Sequence, residues 1–171
     1  MSILQQSPFN ICFFLACLLF VFLLGCAGEP IDPEAIGRET VEGTILINGQ
    51  PIAGPANISF IPLDASVRDA GGGGKISPTG KYSLTGRNGV KPGKYRVRIA
   101  GSATYDRRTG APATPEMTFG SEYTVRLVPP EFNENSTLEF EVVAGTKNVF
   151  DYDMITSFVP NTTPPRAAPV E

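Results

Sequence analysis

No histidine occurs anywhere in this chain of 171 residues. The commonest general base and the commonest metal ligand are therefore missing. Neither a Ser-His-Asp nor a Cys-His nucleophile can be assembled, and no Ser-Lys pair is marked by spacing. Residues 71–75 read GGGGK and invite a phosphate-loop interpretation. That loop needs a glycine about six residues before its lysine and a Ser or Thr directly after it. Asp69 and Ile76 stand there instead, so the run reads as a flexible loop beside a hairpin. Tyr82, Tyr95, Phe140 and Tyr152 could form a sugar-stacking platform. Each alternates in phase with apolar neighbours, which favours burial in a core. The expectation is no catalytic residue, no cofactor and no metal.

The one residue marked for chemistry is Cys26. Residues 11–24 read ICFFLACLLFVFLL without a charge, a length suited to the apolar stretch of a signal peptide and short for a membrane span. The run closes on Leu23-Leu24-Gly25-Cys26. This resembles the lipobox of bacterial lipoproteins, in which a small residue precedes the cut and the new N-terminal cysteine thiol receives a diacylglyceryl group. Leu24 is bulky for its position, and the first ten residues carry no Lys or Arg. The competing reading is an uncleaved signal anchor with Cys12, Cys17 and Cys26 as apolar fillers. Ala27 follows the cysteine, where an inner-membrane retention signal would have Asp, so the resemblance points to the outer membrane or the periplasmic face of the cell envelope. The sequons at Asn57, Asn135 and Asn161 read as chance matches in such a protein.

The elements that follow are read as strands. The expected division is a signal peptide over 1–25, a flexible tether over 26–39, a β-domain over 40–155 and a disordered Pro-rich tail over 156–171. The net charge of −3 has no basic concentration, which argues against nucleic acid as a partner. Residues 41–47 are apolar and run into Asn48-Gly49, a type I′ turn signal. Residues 58–62 make a second strand, and residues 63–74 a loop. Lys75-Ile76-Ser77 and residues 81–84 make a hairpin about the turn at Pro78-Thr79-Gly80. Residues 94–99 alternate: Tyr95, Val97 and Ile99 share one face, and Lys94, Arg96 and Arg98 the other. Residues 101–119 form a long polar loop, the kind of segment that often carries function. Shorter alternating runs lie at 122–127, 138–142 and 150–154. Gly43, Gly49, Gly80 and Gly93 serve the backbone. Short strands with turns every eight to twelve residues or so describe an all-β protein, a single β-sandwich of about seven short strands preceded by a signal-peptide helix.

The order of these pieces is more specific than any one of them. Val41-Glu42-Gly43-Thr44 leading to Asn48-Gly49-Gln50-Pro51-Ile52-Ala53-Gly54, then Phe60-Ile61-Pro62, then Thr79-Gly80-Lys81-Tyr82-Ser83-Leu84, then Val90-Lys91-Pro92-Gly93-Lys94-Tyr95 resembles carboxypeptidase-regulatory-like, transthyretin-like (prealbumin-like) domains. The later runs at 128–142 and 148–153 are similar to those of small planctomycete lipoproteins of this type. The resemblance implies the sandwich fold and no catalytic residues. It points to a non-enzymatic binding or structural module, held to membrane by the lipid and facing an envelope protein or glycan partner. The alternative is a hydrolase or envelope solute-binding protein with its site in the 101–119 loop.

Charge sets one further expectation. If residues 138–142 and 150–154 formed a hairpin with a turn containing Gly145 and a register centred on Thr146, Glu141 would face Asp151 and Glu139 would face Asp153, and facing like charges destabilise a pair. A bound cation, separation into different sheets, or a neighbouring Lys94-Arg96-Arg98 face would relieve this, and the third is favoured. If cleavage leaves Cys26 as the sole cysteine, no intrachain disulfide is possible. A Cys26→Ser variant should therefore show a thermal unfolding midpoint that neither a reductant nor a chelator moves by more than about 1 °C.

Overall fold

A computed structural model describes residues 32–114 and 120–163. The expected signal peptide, Cys26 and the first part of the tether lie outside the described residues, as do residues 164–171. Nine strands form two sheets: β1 (Val41–Ile47), β2 (Ala56–Pro62), β3 (Gly72–Ile76), β4 (Lys81–Leu84), β5 (Gly93–Asp106), β6 (Glu122–Arg126), β7 (Glu139–Val142), β8 (Asn148–Val149) and β9 (Tyr152–Met154). One sheet has the order β4-β1-β8, with β9 continuing beside β1. The other has the order β3-β2-β5-β6, with β7 beside β5. Only short 3₁₀ turns join them among the described residues. The protein is an all-β sandwich, and nine strands replace the expected seven because residues 148–154 split into two short segments along β1.

The side-chain alternation that defined the strands also places the core. On β5, Tyr95, Val97 and Ile99 are buried, and β2 turns Ala56, Ile58 and Phe60 inward. The opposite sheet contributes Val41, Ile45, Tyr82, Leu84 and Met154. Phe60 lies where the layers meet. Its ring packs within 6.0–6.4 Å of Tyr82, Tyr95, Phe140 and Phe150, three of them edge-on, the arrangement aromatic quadrupoles favour.

Two turns formed where the sequence placed them, yet their flanking strands part company. Asn48 and Gly49 both adopt positive φ (51° and 76°), as a type I′ turn requires, and Ile47 and Gln50 exchange backbone bonds of 2.8 and 3.1 Å. The chain then leaves for the other sheet, so β1 and β2 never pair. The expected hairpin at 75–84 is likewise corrected. The turn at Ser77–Gly80 closes, with Ser77 N donating to Lys81 O at 2.8 Å, but β3 pairs with β2 and β4 pairs with β1. Each turn is a corner of the sandwich.

The glycine run is also corrected, from loop to strand. Gly72, Gly73 and Gly74 belong to β3 and pair with Phe60, Ser59 and Ile58. A Cβ on Gly72 would sit 2.5 Å from the carbonyl oxygens of Asn88 and Gly89, and one on Gly74 2.7 Å from Leu84 Cδ2. Absent side chains allow this close approach. Gly43 obeys the same constraint. Its missing Cβ would meet Phe150 O at 2.1 Å, and that carbonyl also accepts from the buried Tyr82 hydroxyl at 2.9 Å.

The acidic strands do not form a hairpin. β7 joins β5 antiparallel, with Lys94 opposite Glu141 and Arg96 opposite Glu139, while β9 joins β1 in parallel. Separation into two sheets and a neighbouring basic face therefore both occur. The finer expectation fails: Arg96 forms no ion pair within 4.0 Å among the described residues. Asp151 and Asp153 serve as backbone acceptors instead, from Thr44 N at 2.7 Å and Gly49 N at 3.0 Å. The turn between β7 and β8 is organised by buried Asn148, whose amide bonds Val143 N, Val143 O and Thr146 O.

Both ends of the domain depart from expectation. Of the tether, residues 32–39 are tied down by Arg38. Its guanidinium donates to the carbonyls of Glu34, Asp69, Gly71 and Gly89 at 2.6–2.9 Å. Of the tail, residues 156–163 are held at two points. Asn48 exchanges side-chain bonds with the Thr156 backbone at 2.9 and 3.0 Å, and Tyr123 donates to Thr162 O.

These contacts set a stability ranking. Phe60→Ala should cost about 3–5 kcal/mol, as large aromatic truncations in a core do. Gly43→Ala should cost about 3 kcal/mol because a backbone carbonyl must move. Gly110→Ala, with open space around a φ of +68°, should cost only about 1 kcal/mol. Urea unfolding of the three variants checks the order.

Candidate functional site

Among its described residues, the loop expected to carry function is mostly strand and turn. Residues 101–106 complete β5 and pair with β6, from Ser102 opposite Arg126 to Asp106 opposite Glu122. Asp106 Oδ1 accepts from Arg108 N and Thr109 N at 2.6 and 2.9 Å, and these two bonds hold its carboxyl below the usual range. Tyr105 and Tyr123 stack at 5.8 Å, and Tyr105 bridges to Pro112. The polar groups that would have marked a site there hold the turn together. Residues 115–119 lie outside the described residues.

Three of the hollows among the described residues are shallow and open to the surface. The first, of 360 Å³, is lined by Ala100, Gly101, Ser102, Thr124, Arg126 and Asn133. The second, of 290 Å³, lies over β1 and β4 and includes Glu42, Thr44, Lys81, Tyr82 and Asp151. The third, of 220 Å³, lies between Lys94, Glu139, Phe140 and Glu141. In the second, several polar groups already have structural partners. Thr44 N holds Asp151, Tyr82 holds Phe150 O, and Lys147 Nζ lies 2.8 Å from Glu42 Oε1.

The first hollow differs. It sits where β6 has left the edge of β5 and β7 has not yet joined it. The segment between them passes through a 3₁₀ turn at Pro130–Phe132 and ends on Asn133, at φ −118° and ψ −106°, outside the helical and extended regions. Arg126 Nη1 lies 2.6 Å from Glu134 Oε1. The Glu134 carboxyl is held below its usual range by a hydrogen bond from its own backbone first, then by the bond and charge of Arg126, with a lesser contribution from Arg98. Arg98 follows the outward phase of β5, two residues before Ala100. Its Nε is buried and makes no hydrogen bond, a costly state for a polar atom.

The aromatic platform did not form. Tyr82 and Tyr95 are buried, and Phe140 and Tyr152 pack half-buried against the core. Among the described residues no three of His, Cys, Asp and Glu come together to hold a metal. The alternation of residues 122–127 marked a strand at Arg126 but gave no sign of the hollow. The hollow depends on the Ser102–Arg126 register and on the course of residues 127–138, neither of which has a local signature.

No family model matches the chain, and no curated protein aligns with it. Among solved structures it is similar to a candidate adhesin from Bacteroides ovatus, at 13% identity and a TM-score of 0.31, over 69% of this chain and 46% of that one. The chain thus spans less than half the length of that neighbour.

Burial raises the ionisation of Tyr82 far above its ordinary value, with the charges of Asp151 and Glu42 adding to it, and burial also raises Tyr95. A raised acid holds its proton more tightly in the folded state. The stabilisation is therefore full below the unfolded value near pH 10 and declines as pH rises beyond it, where the unfolded chain ionises first. In an ultraviolet titration of phenolate absorbance, Tyr82 and Tyr95 should ionise only above the ordinary tyrosine range, and base unfolding should accompany them. Ionisation of Tyr82 at the ordinary tyrosine value in a still-folded protein would contradict the burial.

Proposed function

We propose that this protein is a non-enzymatic lipoprotein of the bacterial cell envelope, a β-sandwich that binds or scaffolds other envelope components while a lipid on Cys26 holds it to membrane. The observation that carries the anchoring is Leu23-Leu24-Gly25-Cys26 closing an uncharged apolar run. The chain has no histidine. In the second hollow and the 106–110 turn, Tyr82, Asp151 and Asp106 are engaged in backbone bonds and Glu42 is paired with Lys147, which supports display over catalysis. A carboxypeptidase-regulatory-like origin of the sandwich accords with the paired corners at Asn48-Gly49 and Gly80. An exposed polar sheet face, bearing Lys94, Arg96 and Arg98 on β5, is the surface from which such a module would meet a glycan or a protein.

The test is processing in a bacterial host that lipidates exported proteins. Mass spectrometry of the membrane fraction should find Cys26 as an acylated N-terminus, and Cys26→Ser should move the protein to the soluble envelope fraction. An intact Met1 peptide in the mature protein would overturn the reading.

A further inference from the structure

Asn48-Gly49 carries a chemistry beyond its role as a corner. Glycine puts no side chain in the way of its own backbone nitrogen, so in an Asn-Gly pair that nitrogen can close on the preceding carboxamide. Gly49 N loses its proton to water and attacks Asn48 Cγ. The new C–N bond closes a five-membered imide, the Cγ–Nδ2 bond breaks, and Nδ2 leaves as ammonia with a proton from solvent. Water then opens the ring and leaves aspartate or isoaspartate at position 48. The net exchange is water for ammonia, with no oxidant or reductant.

The reacting groups are all held by one segment near the C-terminus. Asn48 Nδ2 donates to Thr156 O at 2.9 Å, and Asn48 Oδ1 accepts from Thr156 N at 3.0 Å. Gly49 N donates to Asp153 Oδ1 at 3.0 Å, and the carboxylate charge opposes loss of that proton. Asn48 N donates to Met154 O at 3.1 Å. Asn48 and Gly49 are nonetheless exposed, so water reaches the pair. The strand that supplies the hold, β9, is only three residues long, and short terminal segments open at the least cost.

We propose that Asn48 is a deamidation site guarded by residues 153–156, and that the reaction makes the release of this segment permanent. While the latch is closed, the carboxamide is not free to turn toward Gly49 N. When Thr156 lets go and β9 frays, the ring closes. The product has a carboxylate oxygen where Nδ2 was. That oxygen has no proton to donate to Thr156 O and repels it, so one of the two latch bonds is lost for good. The stretch 156–163, with half-buried Thr156, Phe158 and Pro160, then stays detached from the Asn48 corner. The inference is independent of lipid at Cys26 and of any ligand.

The experiment incubates the full-length protein in detergent micelles in mildly alkaline buffer and follows residue 48 by peptide mass spectrometry and an isoaspartate methyltransferase assay. Asn48 should deamidate at least about tenfold more slowly in the protein than in a free peptide of residues 45–52. Thr156→Pro removes the N–H donor to Asn48 Oδ1 and should raise the rate in the protein about tenfold. Tyr123→Phe removes only the distant tie to Thr162 O and should raise it about threefold. Asn88-Gly89 is the internal reference, because its backbone bonds run to Thr85, Gly86 and Arg38; its rate should not change. In Asn48→Asp, the stretch 156–163 should exchange its backbone amides with deuterium faster, while β5 does not. Should Thr156→Pro fail to fold, Tyr123→Phe and Asn48→Asp decide the matter. Deamidation of the wild type as fast as the peptide, or equal acceleration at Asn48 and Asn88, would overturn the guard. Unchanged exchange in Asn48→Asp would overturn the latch.

Discussion

Phe60 is the contact on which the two layers depend. It stands on the inner face of β2 and reaches the rings of Tyr95 and Phe140 in its own sheet and of Tyr82 and Phe150 in the other. Few backbone bonds join the layers, because each ladder closes within its own sheet. What fastens one layer to the other is side-chain burial, and the aromatic group around Phe60 is its largest contiguous part. The surrounding constraints serve that meeting. Gly43 lets the Phe150 carbonyl in, Tyr82 caps that carbonyl, and Gly72 and Gly74 let the turn at residues 86–89 and β4 draw close to β3.

Much of this was legible in the residues. Alternation identified β6 and the first half of β5, because their inner faces are apolar and their outer faces polar, and Asn48-Gly49 marked a real turn. Sheet membership was not legible. A turn signal reports local dihedral angles, whereas pairing depends on which face is buried against what, and both corners send their strands to opposite layers. The GGGGK run misled for a related reason. Glycine usually weakens a strand, yet here the backbone of a neighbouring segment occupies the space a side chain would need. The acids of residues 150–154 misled as well, since a carboxylate's service as a backbone acceptor leaves no trace in its spacing.

The candidate site was half legible. The basic face of β5 was read correctly, down to its pairing with an acidic strand. The hollow was not, because it exists only where one neighbour of β5 ends before the next begins. Its lining requires the register of β5, β6 and the chain between β6 and β7 together. Arg38 was equally hidden. A lone arginine in a polar stretch looks like a tether residue, until the carbonyls of Glu34, of Asp69 and Gly71, and of Gly89 converge on it.

The parallel pairing of β1 with β8 and β9 has a mechanical meaning. Because the strands run the same way, the leading end of β1 at Val41 and the trailing end of β9 at Met154 lie at opposite ends of the seam. Tension drawn between those two points slides one strand along the other. It loads the Phe150–Glu42, Thr44–Asp151 and Asn48–Met154 bonds at the same time, where an antiparallel pair pulled from its open end would lose its bonds one by one. Rupture under force is governed by the unfolding barrier and not by equilibrium stability. A seam loaded in shear therefore lets a domain of modest stability act as a load-bearing link in a stretched chain.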